Sequence, residues 1–367
     1  MIKYPGILFV IFIFINCIPY LQPPKPEPQV RVAIVIGVDS IIVSGIKEDK
    51  HLKEYKIKTT DSLPIILRPY GGSVMVNGRP YQGWIEIKKI KNKIWVLNII
   101  DIESYLKGVV PMELGRIDGK IIEAAKAQAV AARTYAYAHL GQYPELGFDL
   151  YGTVKDQVYG GIAVEDSLIN RAIRETRGLV LTYRGKPIDA KFHSTCGGHT
   201  ADFNDAWPDN APPYLKSIPC NFCSQSPHFR WKKVITRDEF FRNLKKNLQN
   251  LGIAILDTEL IVSLKLKRNP RSQRVTEMKI VTTRNEYKIF AHQIRKLLGS
   301  EKDPGGLLKS NCFEIYLKNG AVVIEGKGYG HGVGMCQYGI LAMAQKKKKF
   351  GEMLKYYYPG ARLSRLW

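Results

Sequence analysis

Several motifs that mark common enzyme and binding classes are missing from this sequence. The glycine-rich stretch 328–339 is not followed by Gly-Lys-Ser or Gly-Lys-Thr, which excludes a phosphate-binding loop. It also lacks the strand-turn-helix setting and the downstream acid of a dinucleotide site. No His-Glu-x-x-His pattern occurs, which argues against a zinc hydrolase. No zinc-finger array or RNA-recognition signature occurs either, so no nucleic-acid partner is expected.

Acidic residues are also scarce. The 33 aspartates and glutamates are outnumbered by 55 lysines and arginines, which gives a formal net charge of +22 at pH 7. Because nucleic-acid motifs are missing, an anionic envelope polymer or a membrane surface fits this charge better than DNA. Lysine-rich solvated faces are the alternative interpretation.

The N-terminal residues predict export. Met1-Ile2-Lys3-Tyr4 is a short basic start, and the apolar run Gly6–Ile15 suits a signal-peptide core but is too short to span a bilayer. We therefore expect residues 1–17 to be a signal segment. Cys17 resembles a bacterial lipoprotein cleavage site, where the thiol becomes lipid-anchored, although Asn16 departs from the usual small residue. A cleaved secretory signal with an incidental cysteine is the alternative, and both place the mature protein in the cell envelope, outside the cytoplasm.

Residues 18–29 form a proline-rich linker, since clustered proline favours an extended conformation. Beyond it, β-branched runs separated by turn signals such as Asn77-Gly78 predict a β-rich N-terminal module over residues 30–84. Strands are expected within Val30–Val43 (two short strands), Tyr55–Thr59, Ile65–Arg68, Ser73–Val76, Trp84–Ile90 and Trp95–Ile100. The module carries no chemical motif, and we interpret it as a structural lead-in packed against, or continuous with, a larger region over residues 85–360.

A helix rich in alanine organises that larger region. Small residues recur at helical spacing in Ile121–Leu140, which predicts one apolar and nearly flat face. Asp118 is a candidate N-cap, and Gly141 ends the helix. Just before it, Glu113 is expected on a tight loop among apolar neighbours. A loop resting on a flat face can be held rigidly, as a catalytic acid requires.

Further helices and strands alternate along the rest of the chain, so the predicted fold class is α+β. A second helix is expected at Ser167–Thr176, followed by paired strands at Leu179–Tyr183 and Ile188–His193 that deliver His193 and Ser194 to a glycine-rich loop. Residues 229–325 predict an α+β insertion. Its expected elements are a helix following Phe229–Arg242, strands at Ile261–Lys267 and Thr276–Thr282, a helix at Ala291–Leu298, and a hairpin of Cys312–Leu317 with Ala321–Glu325. A last helix begins at Ile340–Gln345.

The six cysteines suggest a metal site. Setting Cys17 aside leaves an odd number, so complete disulfide pairing is impossible. Two close pairs separated by a loop have the character of a zinc site with four protein ligands: Cys196, His199, Cys220 and Cys223. Four protein ligands leave no open position, so the zinc would be structural.

Other assignments of these residues stay open. His193 and His228 are alternative zinc ligands, and a Cys220–Cys223 disulfide or free thiols would remove the site. We expect Cys312 and Cys336 to be buried thiols or to pair with each other.

Five separate motifs follow one another along the chain: Val109–Leu114, Ala125–Tyr135, Asp156–Gly161, Phe192–Gly198 and Gly328–Gly339. In this order they resemble the stage II sporulation protein D family with its LytB-type domain. The resemblance covers residues 85–360. It implies a lytic transglycosylase acting on bacterial cell-wall glycan, or a relative that modulates wall amidases. It also implies that Glu113 is the catalytic residue, and some members of the family bind zinc near the cysteines.

The resemblance and the residue types together give a set of candidate substrate-binding residues. Arg133 could bind the lactyl carboxylate of N-acetylmuramic acid as a fork. His331 and Gln337 could bond sugar hydroxyls or orient Glu113. The full set is Gln128, Arg133, Tyr135, Asp156, Tyr159, His193, Ser194, His331 and Gln337. For the residues on the alanine-rich helix, tying down neighbouring loops is the alternative role.

Glycosidic cleavage needs a proton on the leaving oxygen, and a carboxyl supplies it at neutral pH only if apolar surroundings raise its pKa. Most glycosidases add a second carboxylate. A lytic transglycosylase does not need one, because the 6-hydroxyl of the sugar attacks C1 and leaves a 1,6-anhydro ring. With the activity and substrate that the resemblance implies, the predicted function is cleavage of the β-1,4 bond between N-acetylmuramic acid and N-acetylglucosamine in peptide-stripped glycan strands. The alternative is a glycan-binding module that stimulates a cell-wall amidase without cutting.

Overall fold

The computed structural model describes residues 26–46, 53–69, 72–256 and 258–367. The predicted signal segment, Cys17 and most of the linker lie outside these residues. Among the helices that the structure describes, none is long and apolar enough to cross a membrane.

The described residues contain both helices and strands, which confirms the α+β class. The helices are α1 (Ile102–Leu114), α2 (Ile122–Ala138), α3 (Ser167–Glu175), α4 (Arg237–Asn250), α5 (Ala291–Leu298), α6 (Gln337–Gln345) and α7 (Phe350–Tyr357). The strands in the N-terminal half are β1 (Gln29–Val38), β2 (Ser40–Ile46), β3 (Lys53–Lys58), β4 (Ile65–Leu67), β5 (Val74–Val76), β6 (Arg79–Tyr81), β7 (Trp84–Ile90), β8 (Lys93–Asp101), β9 (Leu150–Tyr151) and β10 (Leu179–Tyr183). Those that follow are β11 (Lys186–Pro187), β12 (Phe192–His193), β13 (Arg230–Thr236), β14 (Ile261–Arg268), β15 (Val275–Thr282), β16 (Glu286–Phe290), β17 (Phe313–Lys318), β18 (Ala321–Lys327), β19 (Met335–Cys336) and β20 (Arg362–Arg365).

The N-terminal strands form two sheets, in the orders β4-β7-β8-β1-β9 and β3-β2-β5-β6. The β5–β6 hairpin turns at Asn77-Gly78, where both residues have positive φ, as a tight hairpin turn requires. Buried residues of these strands share one hydrophobic core with α1, α2 and α3. The N-terminal β-rich part is therefore continuous with the helical region.

Helix α2 is buried on two sides rather than along one face. Ala125, Ala129, Ala132 and Ala136 belong to the core shared with α1. Ala124, Ala127, Val130 and Ala131 belong to a second core with α6, α7 and the cysteines. Small side chains around the whole helix allow neighbours to approach closely from both directions, so α2 is the central support of this region.

A third hydrophobic core is built entirely from residues 231–324. It lies between the sheets β13-β18-β17 and β14-β15-β16 and the helices α4 and α5. The hairpin of β17 and β18 turns at Asn319-Gly320, again with positive φ at both residues. The predicted elements of segment 229–325 are thus present, while the division of the chain into separate domains stays a prediction.

The predicted loop around Glu113 is wrong. Helix α1 continues through Pro111 to Leu114 and ends at Gly115, whose N–H bonds the carbonyl of Pro111. Glu113 therefore lies in the last turn of a helix.

Candidate active site and metal centre

Glu113 is held by two hydrogen bonds from distant parts of the chain. Gln337 Nε2 donates to Glu113 Oε2 across 2.9 Å, and the Val158 N–H donates to Oε1 across 3.4 Å. Glu113 is half-buried and forms no ion pair with any residue that the structure describes. Both donors are neutral, so the carboxyl is oriented without being fixed in its charged form.

Desolvation raises the pKa of Glu113 above its ordinary value, because it outweighs the two hydrogen bonds that favour the carboxylate. The position at the carboxyl end of α1 acts in the same direction, since unpaired helix carbonyls disfavour a negative charge. This is the direction that a general acid requires at neutral pH.

Gln337 is positioned by backbone contacts between the segment around β12 and the segment around β19. Strand β12 pairs in parallel with β19, which places His193 opposite Cys336. The Tyr338 N–H then bonds the Ser194 carbonyl across 3.0 Å. Gln337 is the first residue of α6 and directly follows Cys336, so its backbone is fixed at both sides.

The loop that bears Val158 is also braced. Asp156 accepts hydrogen bonds from Tyr135 Oη at 2.8 Å and from the Tyr151 N–H at 2.9 Å. Gln157 accepts from Tyr105 Oη at 3.1 Å. The sequence predicted functional roles for Tyr135 and Asp156, and the structure brings them into direct contact.

A cleft of about 240 Å³ opens between this region and segment 229–325. It is lined by Tyr135, Val154, Lys155, Asp156, Lys191, Phe192, Ala206, Trp207, Ala291, His292, Arg295, Asn311 and His331. Glu113 is not among the lining residues. Residues 154–158 run from the cleft wall to the amide that holds Glu113, so the cleft and the carboxyl share one loop.

His331 presents a hydrogen-bond donor to this cleft. Its Nδ1 accepts from the Val333 N–H at 3.1 Å, which leaves the proton of the neutral ring on Nε2. Burial holds the pKa of His331 well below its ordinary value, so the ring is neutral at pH 7. The Trp207 ring lies beside it, with centroids 5.0 Å apart.

Arg133 is a structural residue, which corrects its predicted role in binding a substrate carboxylate. Its side chain is fully buried, and Nε and Nη2 donate to the two carboxylate oxygens of Glu103 at 2.8 and 2.6 Å. The remaining amino group bonds the Leu179 carbonyl. The guanidinium group that was predicted to bind a substrate carboxylate thus binds a carboxylate of the protein itself.

Three further predicted contacts are unavailable to a ligand because the side chains are buried. Gln128 is 0% exposed, and neither its Oε1 nor its Nε2 finds a partner among the described residues. Tyr159 donates to Asn98 at 2.8 Å from inside the first core. His193 bonds the Val333 carbonyl through Nδ1, and burial lowers its pKa to about 3. Ser194 is half-buried and contacts Thr195.

Four buried cysteines cluster below the site. The Sγ atoms of Cys196, Cys220, Cys223 and Cys336 lie within 4.8 Å of one another. His199 lies outside this group, and the fourth member of the cluster is Cys336, which differs from the ligand set expected from the sequence. All five described cysteines are free thiols, so neither a Cys220–Cys223 nor a Cys312–Cys336 disulfide is present among the described residues.

The four sulfurs fit a tetrahedral metal. Zinc–sulfur bonds of about 2.3 Å place tetrahedral sulfurs about 3.8 Å apart, in keeping with the observed grouping. A buried arginine supports this fit. Arg274 is fully buried and donates Nη2 to the Cys196 carbonyl at 2.9 Å, while Nε and Nη1 find no acceptor among the described residues. Four thiolates around a divalent ion carry a net negative charge that would compensate this guanidinium.

The glycines of the stretch 328–339 admit parts of the protein rather than a ligand. A Cβ on Gly332 would lie 2.3 Å from the Arg274 guanidinium, and one on Gly334 would lie 2.1 Å from the Lys191 carbonyl. The stretch borders the cleft through His331. These two glycines therefore serve close packing within the protein.

Sequence reasoning missed the residues that segment 229–325 contributes to the cleft, Arg295 above all. It also missed Lys191 and Trp207. None of the three lies in a recognisable catalytic or ligand-binding motif. They come together only in the folded chain, where α5 and the loop that holds His331 border the same cleft.

The chain is similar to several known proteins. Residues 90–183 match the family described as stage II sporulation protein, and residues 220–334 match a domain described as of unknown function. The chain is 35% identical over 286 residues to an uncharacterized protein of Brachyspira hyodysenteriae, covering 78% of this chain and 72% of that one. It is 32% identical over 280 residues to stage II sporulation protein D of Bacillus subtilis, covering 72% and 75%. It is 26% identical over 303 residues to the amidase enhancer of Bacillus subtilis, covering 71% of this chain and 40% of that one.

Proposed function

The chain belongs to the stage II sporulation protein D family, and on that premise we propose that it is a lytic transglycosylase of cell-wall glycan. It would cleave the β-1,4 bond between N-acetylmuramic acid and N-acetylglucosamine and leave 1,6-anhydro ends. One observation carries the proposal: Glu113 is a half-buried carboxyl with a raised pKa, two neutral donors and no ion pair to a described residue.

In the proposed reaction Glu113 acts first as acid and then as base. The protonated carboxyl donates to the leaving O4 oxygen as the C1–O4 bond breaks. The resulting carboxylate takes the proton of the 6-hydroxyl as the C1–O6 bond forms, so Glu113 ends protonated and no water is consumed. Gln337 and the Val158 amide stabilise the carboxylate between the two transfers. One carboxyl therefore suffices.

The cleft would hold the glycan beside Glu113. Trp207 offers an aromatic surface for a sugar ring, and the neutral His331 offers Nε2–H to a sugar hydroxyl. At about 240 Å³, the cleft is below the roughly 300–1,000 Å³ of drug-sized ligand pockets, so it suits one sugar unit rather than several. Asp156 and Tyr135 would line that subsite.

A structural zinc ion is proposed for the cysteine cluster. It would be held by Cys196, Cys220, Cys223 and Cys336 and would supply only cross-linking, because four protein ligands leave no open position. Its effect on catalysis would be indirect, since Cys336 precedes Gln337 in the chain. Fixing Cys336 fixes the donor to Glu113.

The proposed setting is the cell envelope, with peptidoglycan glycan strands as the partner. Export through residues 1–17 and attachment to a membrane through a lipid on Cys17 are parts of the same proposal. The net charge of +22 suits an anionic envelope surface, and no nucleic-acid partner is proposed.

A second candidate function is stimulation of a cell-wall amidase without cutting. The similarity to the amidase enhancer favours it, although that alignment covers only 40% of the enhancer. In this case the cleft would bind glycan, and Glu113 would need no proton.

The two functions are separated by the products. Purified glycan strands, with and without peptides, are incubated with the protein and analysed by mass spectrometry for 1,6-anhydro ends. We expect such ends with the unaltered protein and none with Glu113→Gln. Glu145→Gln, which removes an exposed carboxylate elsewhere, is the matched control and should cut normally. Anhydro products at an undiminished rate from Glu113→Gln would remove Glu113 from its role, and no products from any form would favour the amidase stimulator.

A further inference from the structure

Segment 229–325 contributes a cation to the cleft that has no carboxylate partner among the residues that the structure describes. Arg295 lies on α5 and lines the cleft together with Lys191, Trp207 and His331. Its Nε donates to the Leu308 carbonyl at 2.8 Å, and the Leu308 N–H donates back to the Arg295 carbonyl at 2.9 Å. These two bonds fix the arginine, while its terminal amino groups bond no residue that the structure describes. The two terminal amino groups of Arg295 are thus available to bind a ligand.

The surroundings of Arg295 are positively charged. Three of the four charged side chains that line the cleft are cations, Lys155, Lys191 and Arg295, against the single carboxylate of Asp156. Asp156 already accepts hydrogen bonds from Tyr135 and Tyr151. Lys191 is 3.0 Å from Asp189, but its Nζ also lies 4.6 Å from the centre of the Trp207 ring, at the cleft surface. An anionic group on the ligand is therefore favoured.

Burial supports the same reading. Desolvation lowers the pKa of Arg295 to about 10, and no carboxylate in the described part of the chain compensates the guanidinium. Arg295 and Lys191 line the same cleft as His331, so the two cations border one site. A bound carboxylate would offset the free-energy cost of burying these charges. It could also accept two parallel hydrogen bonds from the planar guanidinium group.

We infer that Arg295, assisted by Lys191, binds the free lactyl carboxylate of N-acetylmuramic acid and so makes the cleft specific for glycan from which the peptides have been removed. The inference rests on the proposed function for its substrate class. In strands that still bear peptides this carboxyl is tied up in an amide bond and carries no charge. Arg295 is then a specificity residue supplied by segment 229–325, and the role assigned to Arg133 from the sequence passes to it.

The test measures binding rather than turnover, so its outcome is independent of whether the protein cuts. The full chain carrying Glu113→Gln is titrated with peptide-free glycan oligomers and with the same oligomers after their lactyl carboxyls are converted to methylamides. We expect roughly 10- to 100-fold tighter binding of the free-carboxylate form, the range of a charge-assisted hydrogen-bonded pair. This comparison requires no change at Arg295.

Variants then assign the effect. Arg295→Gln should remove the preference for the free carboxylate and leave binding of the methylamide form unchanged, while Arg295→Lys should keep part of it. Lys296→Gln is the matched control, since it removes one charge from the same helix outside the cleft lining. Equal binding of both oligomers by the parent, or an unchanged preference in Arg295→Gln, would overturn the inference. Anhydro products together with equal binding would overturn it while leaving the proposed function intact.

Discussion

Gln337 Nε2 donates a 2.9 Å hydrogen bond to Glu113 Oε2, although the two residues are 224 positions apart in the sequence. The donor is an amide, so it orients the carboxyl and stabilises its charged form only moderately. A lysine or arginine at this position would form an ion pair and hold the pKa low. The choice of a neutral partner is what allows desolvation to raise the pKa of Glu113.

The pH dependence of activity should follow the residue at position 337. Gln337→Met removes a donor to the carboxylate, so the pKa of Glu113 should rise and the alkaline limb of the pH–rate profile should move to higher pH. Gln337→Lys should move this limb to lower pH. A hydrogen bond to a charged group is worth about 1.5–3 kcal/mol, which is enough to move the limb measurably. Rates of anhydro-product formation across pH provide the measurement, and identical profiles for all three forms would contradict the proposed acid.

Stability should also depend on pH through Glu113. Its pKa is raised in the folded state above the ordinary value of 4.5, so the folded state retains its proton to a higher pH than the unfolded chain. The associated stabilisation is complete below the unfolded pKa and is lost as pH rises through the folded pKa. We therefore expect Glu113→Gln to be more stable than the parent at pH 8 and to lose this advantage toward pH 4. Thermal melts over that range test it, with Glu145→Gln expected to follow the parent.

Metal content should distinguish the two candidate fourth ligands. Cys336→Ser should lose zinc, whereas His199→Ala should retain about one ion per chain, because only Cys336 shares the sulfur cluster. Elemental analysis of protein purified in reductant without chelator measures this directly. If Cys336→Ser retained zinc and His199→Ala lost it, the ligand set expected from the sequence would be correct. If the parent protein contained no zinc, the proposed site would be wrong.

Arg133 should affect stability rather than substrate affinity. Arg133→Met leaves Glu103 buried without its partner, and breaking a buried ion pair costs about 3–5 kcal/mol. Urea unfolding measures the loss, and KM for glycan in the folded fraction should not change. The double variant Arg133→Met with Glu103→Gln should recover part of the stability, since no buried charge is then unpaired. If Arg133→Met unfolded like the parent but had a raised KM for glycan, Arg133 would bind the substrate after all.

The sequence alone determined the features that depend on neighbours within a few residues. Alanine spacing predicted α2 to within two residues at each end, and the hairpin of Cys312–Leu317 with Ala321–Glu325 was predicted as well. Asn77-Gly78 was recognised as a turn, but the short strand β6 that follows it was not predicted. Motif content identified the family and selected Glu113 as the candidate acid, but it placed that residue in a loop. Pro111 lies inside α1 near its end, where a proline removes little that the final turn needs.

Only the tertiary structure decided which side chains meet. A buried arginine binds whichever carboxylate the packing brings to it, and for Arg133 that is Glu103 on α1 rather than a ligand. The fourth cysteine of the cluster and the arginine of the cleft come from segments more than a hundred residues from their partners Cys196 and Lys191. Sequence spacing does not reveal which of these side chains are close in space. Their spatial distances are set by the packing of three hydrophobic cores and not by local conformation.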